Sequence, residues 1–203
     1  MKLLIATTNQ GKKGMFQGLL KGIGVELVFL DALDQAIGAP EENGMNPEEN
    51  AILKARYYCQ KTGLTTLADD AEFCIDDLDG EPGIMARRWG GRLPDTVSDE
   101  DWLDFFLERV KGVPKETLPA SFPFARCVAF PDGTSFIQED KVEFLLTKNP
   151  RKPYKAGWPI SSVRVFLDGR HELDVPADDP LWDEQLKKEG LIDLLRRAGL
   201  VEG

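Results

Sequence analysis

The chain has 203 residues, a hydrophobic share of 42%, a charged share of 30% and a formal net charge of -10 at pH 7. A chain of this size can bury a large apolar core, and the composition is typical of globular proteins rather than disordered or fibrous ones. The negative charge disfavours nucleic-acid binding, which requires many Lys and Arg contacts with phosphates. A small anionic substrate is compatible if local lysines and a bound cation reverse the field inside one cleft.

The sequence shows no signal for a membrane or for an oxidising compartment. No apolar run approaches the roughly 20 residues that span a bilayer, and the apolar run after Met1 ends too early for a signal peptide. Cys59, Cys74 and Cys127 are odd in number, widely spaced and flanked by apolar or aromatic residues. We therefore predict reduced packing cysteines, without disulfides or zinc, and expect a cytoplasmic protein with no membrane contact.

The first 44 residues predict two strands and a helix. Residues 2–7 form a short apolar run, residues 8–12 a polar loop, and apolar residues recur at helical spacing over 15–20. Residues 25–30 predict the second strand. Residues 31–44 are loop-like, because they contain acidic residues, glycines and a proline.

The next helix has well-marked boundaries. Asn46 is a preferred N-cap residue, Pro47 suits the first helical position, and Glu49 completes a capping box three residues after the cap. We expect this helix to run to about Thr62, where Gly63 stops it.

The second half of the chain predicts further strands, a hairpin and two helices. The turn signal Pro131-Asp132-Gly133 lies between two extended runs and indicates the hairpin. Ser98 with Asp101 starts one amphipathic helix, and the last helix starts near Asp179-Pro180 and tolerates Gly190. The predicted strands are residues 65–70, 73–78, 122–130, 134–146 and 162–167, with a turn at 80–83. This pattern predicts an α/β fold: a mixed β-sheet with flanking helices, in two lobes.

The opening loop has the features of a phosphate-binding loop. Its residues are Thr7, Thr8, Asn9, Gln10, Gly11 and Lys12. They offer backbone N–H groups at a helix N-terminus, short polar side chains, a flexible glycine and a lysine. Strand-to-helix turns also use Thr, Asn and Gly simply as caps, so the local pattern leaves both interpretations open.

A second polar cluster surrounds the start of the well-marked helix. It consists of Glu41-Glu42-Asn43-Gly44 and of Glu49-Asn50, followed by Lys54. Lys54 lies five positions after Glu49, beyond the spacing at which helix neighbours stack, so a surface ion pair does not account for both residues. The alternative is a solvated lysine on an exposed helix face.

A third cluster closes the strand at residues 65–70, where Asp69 and Asp70 follow Ala68. Adjacent residues of a strand point to opposite faces, so one carboxylate can face a metal while the other braces a neighbouring loop. Oxygen ligands without clustered His and Cys favour Mg²⁺ over zinc. An Asp pair in an ordinary turn is the alternative.

In this order and spacing, the three clusters resemble the inosine triphosphate pyrophosphatase family, which hydrolyses deaminated purine nucleotides such as ITP, dITP and XTP to monophosphate and pyrophosphate. The resemblance spans residues 3–91 and includes Gly80-Glu81-Pro82-Gly83 and Ala86-Arg87. It implies one two-lobed pyrophosphatase domain over residues 1–203, with the lobes around a central nucleotide-binding cleft. It also implies a two-fold homodimer.

The same resemblance implies roles for single residues. The loop from Thr7 to Lys12 would hold the phosphates, and Lys54 would contact the triphosphate. Glu42 and Asp70 would bind Mg²⁺, with Mn²⁺ as the alternative ion, and Asp70 would be the base that activates water for attack at the α-phosphorus. We expect Asp69 to support this catalytic group from behind the metal ligands.

The second half departs from the family pattern where the base is read. Ala71-Glu72 stands where the family usually has Ser-Gly after the carboxylate pair. The family's Gly-Phe-Gly-Tyr-Asp-Pro is reduced to Ala156-Gly157-Trp158-Pro159-Ile160, and its Ser-His-Arg to Gly169-Arg170-His171 in altered order. A nucleotide-binding protein of the same fold, with reduced turnover or altered base specificity, is therefore the rival hypothesis.

Three residues of these divergent segments are candidate substrate contacts: Trp158, Arg170 and His171. Trp158 could stack on a base, although a Trp after Gly also serves as a core or interface anchor. His171 lies between charged residues in a predicted loop, which favours a surface position over a general base.

Overall fold

The computed structural model describes residues 1–33, 36–94 and 96–202. The chain divides into two compact units. The first contains Met1–Ala71, Phe124–Asp140 and Asp183–Gly203, and the second contains Glu72–Pro123 and Lys141–Trp182. The chain passes between the units more than once, so neither unit is a single continuous segment.

The first unit contains a mixed β-sheet with helices. Strand β1 pairs in parallel with both β2 and β3, and β3 pairs antiparallel with the part of β6 that follows residue 123. The predicted mixed sheet is therefore confirmed. The elements of this unit are β1 (Lys2–Ile5), α1 (Gln10–Leu19), β2 (Glu26–Phe29), α2 (Pro47–Thr62), β3 (Thr66–Ala71), the end of β6 (Thr117–Ala129) and α5 (Lys188–Arg197).

The two faces of this sheet bury different apolar clusters. Leu67 packs with residues of α1 and α5, whereas Ala68 packs with residues of α2. Side chains alternate along a strand, so Asp69 falls on the Leu67 face and Asp70 on the Ala68 face. The fold therefore sends the two neighbouring carboxylates to different helices.

The predicted boundaries of α2 are confirmed in detail. Asn46 Oδ1 accepts a hydrogen bond from the backbone N–H of Glu49 at 2.9 Å, and Glu49 Oε2 accepts one from the N–H of Met45 at 2.8 Å. Gly63 ends the helix in the left-handed region, with φ of 69°, and its N–H donates to the carbonyl of Cys59. Glu49 is thus used in capping rather than in a surface ion pair.

The second unit has an aromatic core and short strands. Phe73, Trp89, Trp102, Phe106 and Phe144 are among its buried side chains. Strand β4 pairs antiparallel with β5 and with β6, and β7 pairs antiparallel with β8. These elements are β4 (Phe73–Ile75), β5 (Pro82–Gly83), α3 (Asp99–Val110), the later part of β7 (Ser135–Thr147) and β8 (Arg164–Val165).

Two predicted strands of this unit are shorter than expected. The run at 73–78 ends at Ile75, because a 3-10 helix at Asp76–Leu78 and left-handed backbone at Asp79 (φ 53°) and Gly80 (φ 84°) reverse the chain. The run at 162–167 shrinks to β8, because Pro159 opens a 3-10 helix that includes Ser162. The hairpin around residues 131–133 is confirmed; β6 (Thr117–Ala129) starts earlier than predicted, and β7 is shifted by one residue from the predicted 134–146.

The prediction of a single C-terminal helix is wrong, because the structure has two helices with a break between them. Helix α4 (Leu181–Gln185) ends before Lys187, which adopts left-handed backbone with φ of 48°. Arg126 donates to the carbonyls of Leu186 at 2.6 Å and Lys187 at 3.0 Å. These bonds satisfy carbonyl oxygens at the point where the interruption removes helical hydrogen bonds. Gly190 lies inside α5, where a Cβ would stand 2.7 Å from Asp140 Oδ2.

The cysteines agree with the expectation of reduced packing residues. Cys59 and Cys127 are buried, Cys74 is half-buried, and all three are free thiols. Burial raises the pKa of Cys127 to about 11, as expected for a packing residue. Within the described residues, no helix combines the length and hydropathy needed to cross a bilayer.

Candidate functional site

The opening loop forms the N-terminal cap of α1. Asn9 Oδ1 accepts hydrogen bonds from the backbone N–H groups of Gly11 at 2.8 Å and Lys12 at 3.2 Å. Thr7 Oγ1 accepts one from the N–H of Asn9 at 3.2 Å. The capping interpretation is therefore confirmed for Asn9, while phosphate binding by residues 7–12 stays a prediction.

Two consecutive lysines of α1 have different partners. Lys12 Nζ lies 2.7 Å from Asp69 Oδ2, whereas Lys13 Nζ pairs with Asp31. Lys12 thus pairs with one of the two adjacent carboxylates near the end of β3, whereas Lys13 pairs with a carboxylate elsewhere. The adjacent positions provide a natural matched pair for mutagenesis.

Lys54 is a buried residue that links two carboxylates. It is only 9% exposed, and its Nζ lies 2.7 Å from Asp70 Oδ1 and 3.4 Å from Glu42 Oε2. The alternative of a solvated surface lysine is therefore wrong. Burial lowers the pKa of Lys54, but the charge and hydrogen bond of Asp70, with the charges of Asp69 and Glu42, outweigh it and raise the pKa above its usual value.

Asn50 holds the second oxygen of the same carboxylate, a role that the sequence interpretation missed. Its Nδ2 donates to Asp70 Oδ2 at 3.0 Å, and its Oδ1 accepts from the N–H of Gly44 at 2.8 Å. Asn50 lies four residues before Lys54, so both reach Asp70 from one face of α2. That spacing of Asn50 and Lys54 on one helix face is the signal that could have identified it.

Asp69 lies between two cations on the opposite face of β3. It is 8% exposed, pairs with Lys12, and faces Arg126 in the antiparallel register of β3 and β6. Burial lowers the pKa of Arg126, and the charges of Asp69 and Asp140 oppose that effect. Asp69 therefore braces α1, as the alternation of the strand predicted.

A cavity of about 190 Å³ collects most of the predicted phosphate-handling residues. This volume is below the roughly 300–1,000 Å³ of sites that enclose a whole drug-sized ligand, so it suits part of a nucleotide, such as its phosphate chain. The lining includes these predicted residues: Thr7, Thr8, Asn9, Lys12, Glu42, Lys54 and Asp69. Gln10 and Gly11, in the first turn of α1, lie outside this lining, and so does Asp70, which reaches the cavity through its bond to Lys54.

A larger cavity of about 520 Å³ contains none of the predicted site residues. Its lining is Arg56, Cys59, Gln60, Gly63, Phe130, Pro131 and Gly133. It lacks a carboxylate or a lysine, so it offers neither a base nor the paired cations that a polyphosphate needs. The smaller cavity is therefore the candidate site despite its size.

Glu42 and Asp70 are the candidate metal ligands, and their chemistry fits Mg²⁺. Both carboxylates are bonded to the one ammonium of Lys54, so they are hard oxygen donors gathered around one cationic position. Within residues 1–33, 36–94 and 96–202, no group of three His, Cys, Asp or Glu is placed to hold an ion. Mg²⁺ commonly takes one or two carboxylates and completes its shell with water and phosphate oxygens, which this pair allows.

Trp158, Arg170 and His171 lie in the second unit. Trp158 is 38% exposed, packs against Phe122 with ring centroids 5.5 Å apart, and donates its indole N–H to Glu172 at 3.1 Å. Arg170 is bonded to two acidic neighbours, Asp168 and Asp179. Contact of these residues with a base stays a prediction.

The expected surface position of His171 is wrong, because the side chain is only 8% exposed. Its Nδ1 accepts from the N–H of Leu173 at 3.2 Å, and its Nε2 lies 3.2 Å from the carbonyl of Ser162. Both ring nitrogens therefore serve the local backbone. Burial lowers the pKa of His171, although the Ser162 carbonyl opposes this, so the ring is neutral at neutral pH.

Comparison with known proteins assigns this chain to a family. The sequence pattern of the Ham1 family matches residues 3–167. The chain belongs to the Ham1 family. It is 38% identical to a dITP/XTP pyrophosphatase of Symbiobacterium thermophilum over 180 residues, which cover 88% of this chain and 85% of the relative. It is 32% identical to a dITP/XTP pyrophosphatase of Corynebacterium glutamicum, with 98% of each chain covered. The resemblance inferred from the three motif clusters is thus confirmed.

Solved structures of Ham1 relatives support the fold. A nucleoside-triphosphatase / dITP/XTP pyrophosphatase from Mycobacterium abscessus matches with a TM-score of 0.67 and 28% identity, covering 96% of this chain and 99% of that one. A HAM1 protein from Coxiella burnetii matches with a TM-score of 0.75 and 20% identity over 98% of each chain. The α/β fold with a mixed sheet is therefore that of the Ham1 family.

A double-mutant cycle will measure the link between Lys54 and Asp70 without metal or nucleotide. Lys54→Met and Asp70→Asn should each lower the free energy of unfolding, and their effects should be non-additive by about 1–3 kcal/mol, because each single change removes the nearest counter-charge of a partly buried group. Urea titrations in the presence of a chelator provide the values. Lys61→Met, at the exposed end of the same helix, should show no coupling to Asp70→Asn; additive effects for Lys54 would contradict the proposed link.

Proposed function

We propose that this chain is a nucleoside triphosphate pyrophosphatase that acts on deaminated purine nucleotides, ITP, dITP and XTP, and releases the monophosphate and pyrophosphate. Membership of the Ham1 family and the names of its relatives support this activity. The observation that carries it is the buried Lys54, joined to Asp70 and Glu42 beside the cavity that Lys12 lines.

The phosphate chain would lie in the 190 Å³ cavity of the first unit. A triphosphate brings several negative charges into a protein whose own net charge is -10. Local cations must therefore offset both the charge of the triphosphate and the negative potential of the protein. Lys12 and Lys54 are the lysines that line this cavity, and Thr7, Thr8 and Asn9 add hydroxyl and amide groups. This arrangement of lysines, hydroxyls and amides suits an anion.

Asp70 is the group that would act on water. Lys54 and Asn50 hold its two oxygens, so the carboxylate keeps one orientation while its remaining lone pairs can accept a proton. Water attacks the α-phosphorus, the bond to the oxygen that bridges the α- and β-phosphorus breaks, and pyrophosphate leaves with that oxygen. One proton of the water passes to Asp70, and the other stays on the oxygen that joins the monophosphate.

Glu42 and Asp70 would hold a magnesium ion, which supplies charge stabilisation to the phosphate oxygens when it is bound. We therefore expect a chelator to abolish turnover and Mg²⁺ or Mn²⁺ to restore it, whereas Zn²⁺ should not. Pyrophosphate release, measured with each ion in turn, checks this expectation. Full turnover after exhaustive chelation would contradict the assignment of these ligands.

Isotope-labelled water will test the proposed reaction most directly. When ITP is hydrolysed in ¹⁸O-labelled water, the label should appear in the monophosphate, because attack occurs at the α-phosphorus. Mass spectrometry of both products gives the answer. Label in pyrophosphate or in inorganic phosphate would overturn the proposed reaction, and nucleotide binding without any product would favour a binding protein of the same fold.

Lys12 and Lys13 provide the matched test of the phosphate cradle. Lys12→Met should lower kcat/KM for ITP by at least about tenfold, because one charged contact in a desolvated site is worth about 1.5–3 kcal/mol. Lys13→Met removes the same charge one residue further on, from a lysine that pairs with Asp31. Its kcat/KM for ITP should stay near that of the unmodified enzyme. Equal losses in both variants would show that net charge alone is responsible.

Base preference should be modest, since the segments that read the base in the family are altered in this chain. A site that depends on stacking and shape discriminates less than one that pairs buried hydrogen-bonding groups with the base. We expect the ratio of kcat/KM for ITP over GTP to be under about tenfold, equivalent to about 1.4 kcal/mol. Competition assays with ITP, XTP, dITP, GTP and ATP measure this ratio, and a value in the hundreds would contradict the expectation.

The remaining parts of the proposal concern the whole protein. We propose that residues 1–203 work as one two-lobed pyrophosphatase domain, supported by a chain that crosses between its two compact units more than once. We also propose a homodimer, as the family resemblance implies. A cytoplasmic location agrees with three free cysteines, and the net charge of -10 disfavours a nucleic-acid partner.

A further inference from the structure

Asn50 bonds to both the strand and the loop of the site, and it is a neutral residue, unlike Lys54, which also reaches both. Its amide N–H reaches Asp70 on β3, and its carbonyl oxygen accepts the N–H of Gly44, two residues after Glu42. The side chain is 3% exposed, so water competes little for either bond. One amide therefore spans the two segments that carry the candidate metal ligands.

The approach of the loop to Asn50 is unusually close. A Cβ at Gly44 would stand 2.5 Å from Asn50 Oδ1 and 2.9 Å from Glu49 Cβ, distances that side chains do not adopt. Glycine is therefore required by contact at this position, rather than by its backbone angle. The hydrogen bond at 2.8 Å and the missing Cβ together bring the Glu42 loop against α2.

The chemistry of an amide suits this double task, and no charged side chain could perform it. An asparagine donates with one end and accepts with the other, so it can bond to a carboxylate and to a backbone N–H at once. An aspartate would keep the bond from Gly44 but would set a second carboxylate against Asp70. A lysine would keep a donor but lose the acceptor.

We propose that Asn50 is a positioning residue that holds the Asp70 carboxylate and the Glu42-bearing loop in one fixed arrangement. Lys54 completes it, because its ammonium bonds to the same two carboxylates from one helical turn further along α2. Asn50 acts through these neighbours and touches neither the phosphates nor the attacking water. The kinetic effect of Asn50 rests on the proposed pyrophosphatase activity, whereas its bonds to Asp70 and Gly44 do not.

Three variants separate the two bonds of Asn50. Asn50→Asp keeps the acceptor for Gly44 and loses the donor to Asp70; Asn50→Leu loses both at similar volume; Gly44→Ala pushes the loop away and leaves the bond to Asp70. Asn149→Asp is the control, since it adds the same charge at an exposed position. All four are made in the full-length chain.

The first measurement is hydrogen exchange in metal-free protein, followed by NMR. The amide of Gly44 should exchange about fivefold faster in Asn50→Leu, because the loss of one neutral hydrogen bond costs about 1 kcal/mol. The same amide should remain protected in Asn50→Asp and in Asn149→Asp. Protection in the middle of α2 should not change. An unaltered Gly44 amide in Asn50→Leu, or faster exchange throughout α2, would overturn the proposal in favour of general packing.

The second measurement is the kinetic split between the variants. Asn50→Asp should lower kcat by an amount on the order of 10–100-fold with little change in KM, because the Asp70 carboxylate loses its orientation. Gly44→Ala should instead raise the Mg²⁺ concentration for half-maximal turnover at least about tenfold, because Glu42 is displaced. Wild-type kcat in Asn50→Asp would overturn the role. If the unmodified chain releases no pyrophosphate, the proposed function fails, and the exchange pattern of Gly44 alone decides whether Asn50 holds the loop.

Discussion

The site depends on the short distance between α2 and β3. Asp70 is bonded through both oxygens, at 2.7 Å to Lys54 and 3.0 Å to Asn50, and these residues lie one helical turn apart. An asparagine side chain is short, so the helix axis must lie close to the strand for the bond to form. Small residues at the interface allow this approach. The buried set between this helix and the sheet includes Ala6, Ala51, Ala55, Ala68, Ala125 and Ala129.

The pair Asp69-Asp70 serves two sides of one sheet. Because side chains alternate, Asp70 joins α2, while Asp69 joins Lys12 of α1 and faces Arg126 of β6. Each carboxylate thereby has its own cationic partner, Lys54 for Asp70 and Lys12 for Asp69, which reduces the repulsion between the neighbouring negative charges. Arg126 is in turn held by two carbonyls at the interruption between α4 and α5. The C-terminal segment therefore supports the site through Arg126, without contributing a ligand.

Sequence reasoning succeeded where local chemistry decides structure. The caps of α2 follow from Asn46, Pro47 and Gly63, and the split of the two carboxylates follows from strand alternation. It failed where partners distant in sequence decide. The interruption at Lys187 is satisfied by Arg126, and the burial of His171 depends on the carbonyl of Ser162. The role of Asn50 likewise depends on Asp70, 20 positions away, which no helical pattern reveals.

The divergent second unit has its own buried polar network, built around Glu172. This carboxylate is 1% exposed; Trp158 donates to it at 3.1 Å, Lys155 lies 2.9 Å away, and Arg164 lies 3.5 Å away. An aromatic ring with a satisfied N–H can leave one face to solvent at little cost, which explains how Trp158 stays 38% exposed. Of the two candidate base contacts that carry a ring, Trp158 is partly exposed, whereas His171 is buried with both nitrogens bonded to backbone.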